Sequence, residues 1–230
     1  GAGRYKNSEL SYNYATQIKR HPGSTAKPLF DYGPGIEYNN WSTYTQFNDA
    51  PTKYTYGGYI HNVDNRYQGT LTLEQCLVRS RNTCALQAFK KVNNSKINKF
   101  VTTLGIVPEY LNNSSTYINE AHSIGGFTGV SPVQLASAYS AFGNEGKYTE
   151  AHSVNKIVYK NEHTEKELEF VYETKQAMKP TTAYMIAYML KKATSTGVKL
   201  SGTDIAAKTG TSSYDEKTLK KLVKILNEGE

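Results

Sequence analysis

Three short strings stand in a fixed order and far apart along the chain: Ser24-Thr25-Ala26-Lys27, Ser80-Arg81-Asn82 and Lys208-Thr209-Gly210-Thr211. A fold that uses them together must bring a helix turn, a turn between helices and a strand end to one place. The first string carries the chemistry. Ser and Lys three apart on a helix share a face, so the amine of Lys27 is placed to serve the hydroxyl of Ser24. A serine hydroxyl is a weak nucleophile until a base takes its proton, and lysine is a base only when neutral. At an ordinary pKa of ~10.4, roughly one amine in a few thousand is neutral at pH 7. The site must therefore lower that pKa by burial or by a second cation, for which Lys208 is the candidate. The start of the same helix also presents backbone N–H groups beside Ser24, suited to a developing oxyanion.

Local patterns give each string its element. Pro22-Gly23 breaks the chain, and Ser24 to about Tyr38 reads as a helix ended by Asn39-Asn40. Residues 41–69, rich in Tyr, Thr, Asn and Gly, read as loops and short extended pieces. Thr72 with Gln75 is a capping box for a helix running to Ser80, and a further helix is expected to start near Asn82. Apolar stripes then run through Phe89, Ile97, Phe100 and Leu104, with Gly105 as a stop. Ser131-Pro132-Val133-Gln134 opens another helix, which ends by Gly143. Val154–Tyr159 and Leu168–Tyr172 predict a hairpin, Pro180–Ala193 a helix, and Lys208–Thr211 the end of a strand. Helices and strands mix without regular alternation, so the expected class is α+β.

Two of the strings recur. A second Ser-x-x-Lys, Ser153-Val154-Asn155-Lys156, lies in a strand pattern, where positions three apart face opposite ways and cannot pair. Ser-x-Asn recurs at Ser11-Tyr12-Asn13 and Ser153-Val154-Asn155, whereas Lys-Thr-Gly occurs once. Glycine at position 210 suits a strand whose backbone a substrate approaches closely.

The 230 residues, 38% hydrophobic and 12% aromatic, suffice for one large domain or a domain with a subdomain, and exclude a disordered or coiled-coil chain. The net charge of +7 is spread along the chain until its last segment, which argues against nucleic acid and fits work near anionic polymers or lipid headgroups. No apolar run approaches the length of a bilayer span, and Gly1-Ala2-Gly3-Arg4 has no signal-peptide layout, so any targeting element is expected outside this sequence. Cys76 and Cys84 show no metal spacing and are expected as buried small hydrophobes. On one continuous helix they would stand roughly 12 Å apart, so a disulfide requires the chain to turn back between them. The five histidines show no metal spacing, and Asp31, Asp49, Asp64 and Glu74 show no partner pattern.

With its flanks, the set resembles the transpeptidase domain of class A (bifunctional) penicillin-binding proteins of Gram-positive type. The stretches His21 to Pro28, Gly69 to Leu73 before Ser80-Arg81-Asn82, Ser131 to Ala136, and Ala206 to Thr211 carry the likeness, which covers roughly residues 15 to 215. The resemblance implies the penicillin-binding/serine β-lactamase-like fold, an antiparallel sheet packed by helices with a mostly helical subdomain. It further implies that Ser24 attacks the penultimate D-Ala carbonyl of a peptidoglycan stem peptide, with Lys27 as base. Ser80 would relay a proton to the leaving amine, and Asn82 would hold the substrate amide. Lys208 would supply positive potential, Thr209 and Thr211 would bind the substrate carboxylate beside Gly210, and the Thr211 and Ser24 N–H groups would form the oxyanion hole. An acceptor amine of a second stem would take the acyl group, and β-lactams would acylate the same serine. No cofactor or metal is implied. The partner would be the glycosyltransferase domain of the full-length protein, at the extracytoplasmic face of a membrane, anchored by an N-terminal segment outside this sequence.

Two departures follow. The family's first strands and those after Lys-Thr-Gly are not read here, so residues 1–214 are expected to form a partial transpeptidase domain with an incomplete sheet and reduced or no turnover. Its helical part would span about 24–145 and its sheet-associated part about 150–214. In residues 215–230, Leu219, Leu222, Val223 and Leu226 with interleaved lysines predict an amphipathic helix. The alternatives are a catalytically incomplete remnant, a β-lactam sensor, or a serine β-lactamase. For the last, Glu109-Tyr110-Leu111-Asn112 falls one residue short of the expected Glu-x-x-Leu-Asn.

Overall fold

The computed structural model describes residues 13–112, 115–160, 165–194 and 202–212. The predicted amphipathic helix at 215–230 lies outside the described residues. The path from Gly23 to Asn39 is a run of helical turns, but its first two are not α-helical. A 3-10 turn spans Gly23–Ala26 and a π turn Pro28–Tyr32, and only then does α1 (Gly33–Asn39) begin. Proline explains this. Pro28 has no N–H to give the Ser24 carbonyl four residues back, so the Lys27 N–H takes that carbonyl instead, and the Gly33 N–H reaches back five residues to Pro28 O. Asn40, left-handed at φ 53°, closes the segment as expected.

Residues 41–72 hold four short strands, β1 (Gln46–Asp49), β2 (Thr52–Lys53), β3 (Tyr59–Ile60) and β4 (Gly69–Thr72). β1 pairs antiparallel with β4, Gln46 opposite Thr72, and its alternation turns Phe47 and Asp49 inward. Thr72 and Gln75 make both bonds of the predicted capping box and start α2 (Leu73–Val78). After the turn at Arg79–Arg81 the chain returns as α3 (Asn82–Lys91). Asn93 then caps α4 (Asn94–Thr103), a break that separates the apolar stripe through Phe89 from the one through Ile97, Phe100 and Leu104. Gly105 follows at φ 74°, as a helix stop should.

The hairpin of β5 (Tyr110–Asn112) and β6 (Ser115–Thr116) precedes a 3-10 turn at Glu120–Ile124. The Ser131–Gln134 capping box opens α5 (Pro132–Gly143). β7 (Lys147–Thr149) pairs with β10 (Thr174–Gln176). Between them β8 (Lys156–Lys160) and β9 (Glu165–Glu169) form the predicted hairpin, two residues later at its start and shifted by three at its end. α6 is Pro180–Ala193, as its periodicity predicts. Among the described residues the strands form five separate antiparallel pairs, and the helical segment 28–39 packs with α2, α3, α4 and α6 around one apolar core. Phe30, Tyr32, Leu73, Leu77, Phe89, Phe100, Ile186 and Met189 are all sealed from solvent there.

Two expectations are corrected. Cys76 and Cys84 are buried, but as a disulfide: the chain turns back at Ser80 and brings their Cα atoms to 6.0 Å. The segment Lys208–Thr211, expected as a strand end, joins no ladder among the described residues. It is held instead by lying on residues 22–25, while the stretch before it is tied to α6 by Ala207 N–H to Leu190 O and by Lys191 to Asp204.

Candidate active site

The 3-10 turn sets half-buried Ser24 in the lining of a cleft of about 430 Å³, which also includes Ser80, Asn82, Thr209 and Thr211. All three strings therefore meet in one concave site of a size that suits a small ligand. A larger hollow of about 650 Å³, lined by Thr103, Gln134, Tyr148 and Tyr172, contains none of these residues.

Lys27 is fully buried, and its amine donates to Ser80 O at 2.6 Å, Asn82 Oδ1 at 2.7 Å and Ser80 Oγ at 3.1 Å. Lys208 reaches the same Ser80 hydroxyl at 2.8 Å. Burial first, and then the neighbouring Lys208 charge, lower the Lys27 pKa to about 7, against a smaller opposing pull from Asp31. Burial alone lowers Lys208 to about 8. The depression that the sequence demanded of Lys27 has both of the physical causes expected for it. One contact differs. The sequence pairs the Lys27 amine with the Ser24 hydroxyl, whereas the structure gives all three amine hydrogens to Ser80 and Asn82. Three acceptors at residues 80 and 82 hold the amine, which must turn from them toward the Ser24 hydroxyl to serve it.

Ser80 itself is left-handed at φ 54°, a region that serine seldom occupies and that often marks working sites. The turn that imposes it is clamped by a network that sequence reasoning missed. Arg81, the middle residue of Ser80-Arg81-Asn82, donates to buried Asp49 at 2.8 Å and to Asp64 at 2.9 Å. Asp49 also accepts from Asn62 Nδ2, Gln68 N–H and Thr83 Oγ1. Asn62 returns its carbonyl oxygen to the Asn82 N–H at 2.8 Å, and Asn82 Nδ2 bonds His61 O, so the amide's remaining oxygen faces Lys27. The available signal was an arginine in the middle position of Ser80-Arg81-Asn82, with carboxylates earlier in the chain. Tyr139, on α5, holds the Ser24 turn from below through Thr25 O at 2.8 Å.

The glycine of the third string has a reason other than the one expected. A Cβ at Gly210 would stand 2.4 Å from Pro22 O and 2.9 Å from Thr25 Cγ2, so the missing side chain makes room for protein rather than for substrate. Gly23 answers it: its φ is +57° and a Cβ there would meet Thr211 O at 2.5 Å. The second Ser-x-x-Lys is no site, since Lys156 stands exposed in a salt bridge with Glu167. Glu109, the deacylation candidate, accepts from Thr128 with both of its oxygens and does not line the cleft.

The penicillin-binding protein transpeptidase domain model matches residues 3–224. The chain belongs to this family. It is 42% identical to penicillin-binding protein 1A/1B of Bacillus subtilis, over 96% of this chain and 24% of that protein. It is 34% identical to penicillin-binding protein 1A of Streptococcus pneumoniae, over 96% of this chain and 31% of the relative. The chain thus spans between about a quarter and a third of these two proteins. By structure it is similar to the penicillin G acyl-enzyme complex of penicillin-binding protein A from M. tuberculosis, with TM-score 0.74, 17% identity, and 90% of this chain covered against 50% of that one. A D,D-transpeptidase domain of a peptidoglycan glycosyltransferase from Eggerthella lenta gives TM-score 0.74 at 18% identity, covering 91% of this chain and 58% of that one. At those identities the likeness speaks for the fold, the α+β penicillin-binding architecture that the sequence predicted.

Proposed function

We propose that this transpeptidase domain is a serine D,D-transpeptidase that cross-links peptidoglycan stem peptides through an acyl-enzyme on Ser24. The observation that carries the reading is the Ser80 hydroxyl bridging two lysines with lowered pKa values in the cleft that Ser24 also lines. Neutral Lys27 takes the Ser24 proton as Oγ attacks the carbonyl of the penultimate D-Ala. The oxyanion forms between the Ser24 and Thr211 N–H groups, where each donor is worth ~10²–10³ in rate. Ser80, poised between the lysines, passes the proton to the leaving amine, and the terminal D-Ala departs. Lys208 with Thr209 and Thr211 holds the substrate carboxylate, Asn82 steers the peptide amide, and Gly210 keeps this segment against residues 22–25. The amine of a second stem then attacks the ester, regenerating Ser24. A β-lactam opens on the same serine, but its leaving amine stays tethered, so the ester persists.

The partner of this domain would be the glycosyltransferase domain of a full-length class A protein, and the site of action the extracytoplasmic face of a membrane. Among the described residues no helix is long and apolar enough to cross one. The Cys76–Cys84 disulfide supports that placement, because such bonds persist in oxidising compartments. The test is to incubate the chain with a D-Ala-D-Ala stem peptide and an amine acceptor, following D-Ala release and cross-linked product by mass spectrometry. Coupled release and product, absent in Ser24→Ala, are expected. Release of D-Ala without transfer points to a hydrolase, and no release to a remnant.

A further inference from the structure

Resting on that reading, we propose that the Cys76–Cys84 disulfide is a positioning element of the active site, a covalent staple that holds the Ser80 turn on the Lys27 amine and so sets the rate of acylation. Ser80 lies midway between the two cysteines, and the bond joins the end of α2 to the first turn of α3 across the base of its turn, with the Cα atoms 6.0 Å apart. The turn's own hydrogen bonds run through the same residues, Ser80 N–H to Leu77 O at 3.1 Å and Arg81 N–H to Cys76 O at 2.9 Å. The staple thus closes on the residue whose geometry is hardest to hold. Ser80 presents its carbonyl and its hydroxyl to one amine from a left-handed backbone, and relaxation of φ toward ordinary values would swing the carbonyl off Lys27.

Placement also separates this role from general stabilisation. A bridge over so short a loop removes less unfolded-state entropy than a long-range one would, so its leverage lies in local geometry. Both cysteines are fully buried, which makes the bond a fixed strut rather than an exposed, exchangeable link. Arg81 clamps the outer side of the same turn through Asp49 and Asp64, so the turn is held covalently at its base and by charge at its tip.

Two measurements on the full 230-residue chain decide the matter. In denaturant without reductant, iodoacetamide should leave both cysteines unmodified until a phosphine is added; two alkylated thiols before reduction would overturn the proposal. Stopped-flow acylation by a fluorescent penicillin is then compared between the natural chain, Cys76→Ala/Cys84→Ala, and the fuller-volume Cys76→Val/Cys84→Ala. In both variants the acylation rate constant should fall ~10- to 100-fold, the scale of a misplacement of about 1 Å, with the initial affinity unchanged. The constant is read per acylated molecule, so partial unfolding lowers the amplitude and leaves the constant alone. An unchanged rate constant, with or without a smaller amplitude, would make the bond merely structural and sink the inference. No acylation of the natural chain would instead overturn the function reading, and the staple's positioning role with it.

Discussion

The Ser80 turn and the Lys208–Thr211 segment converge on one hydroxyl, yet they are held in opposite ways. The turn is fastened by a disulfide between α2 and α3, by a buried ion pair from Arg81 to Asp49 on β1, and by the Asn62–Asn82 bond. The segment has no ladder among the described residues and rests on residues 22–25 through two glycines that let backbone meet backbone. The difference follows from the tasks proposed for each. The turn must fix the acceptors of a base, where a small shift changes both a pKa and a proton path. The segment supplies a charge and backbone N–H groups from one face, for which close apposition to the Ser24 turn is sufficient.

Where the two regions meet, the largest effect is expected. Lys27→Met removes the base and should slow acylation by ~10²–10⁴. In the natural chain the rate should rise with pH as Lys27 loses its proton near its pKa of about 7, and fall once Lys208 loses its charge above about 8. A pH–rate profile showing only one limb would separate the two lysines' roles and break that symmetry.

Attacking the turn alone comes next. Arg81→Ala leaves Asp49 charged and sealed from solvent, and should cost ~3–5 kcal/mol in denaturant unfolding. A loss near that of a surface pair would mean that Asn62, Gln68 and Thr83 already satisfy Asp49. On the segment's side, Gly210→Ala drives a Cβ into Pro22 O and should cost about 1–3 kcal/mol, with acylation slowed more than stability explains. If acylation is untouched, the segment is not positioned by that contact. The smallest effect is Tyr139→Phe, which frees Thr25 O beneath the nucleophile's turn and should cost about 1 kcal/mol.

The same contrast marks what the sequence could reveal. Capping boxes at Thr72–Gln75 and Ser131–Gln134, the apolar period of α6 and the stop at Gly105 are local, and each was legible. The three strings were legible as chemistry because Ser, Lys, Asn and Gly have few reasons to recur in that order. What escaped depends on tertiary return of the chain. The disulfide needed the reversal at Ser80, and Asp49 and Asp64 needed a partner that comes 32 and 17 residues later. The reason for Gly210 required knowing that Pro22 would lie beneath it. Pro28 shows the middle case: its missing N–H, visible in the sequence, dictates the 3-10 turn that presents Ser24, but only once the helix is known to continue through it.

The central claim is that Ser24, served by Lys27, is the acylated nucleophile of this domain. It is tested most directly by exposing the chain to penicillin G and locating any adduct by peptide mass spectrometry. The account predicts a single lasting addition of the whole antibiotic on the peptide carrying Ser24, lost in Ser24→Ala. No addition under conditions where the chain is folded, or an addition on another residue, would contradict it.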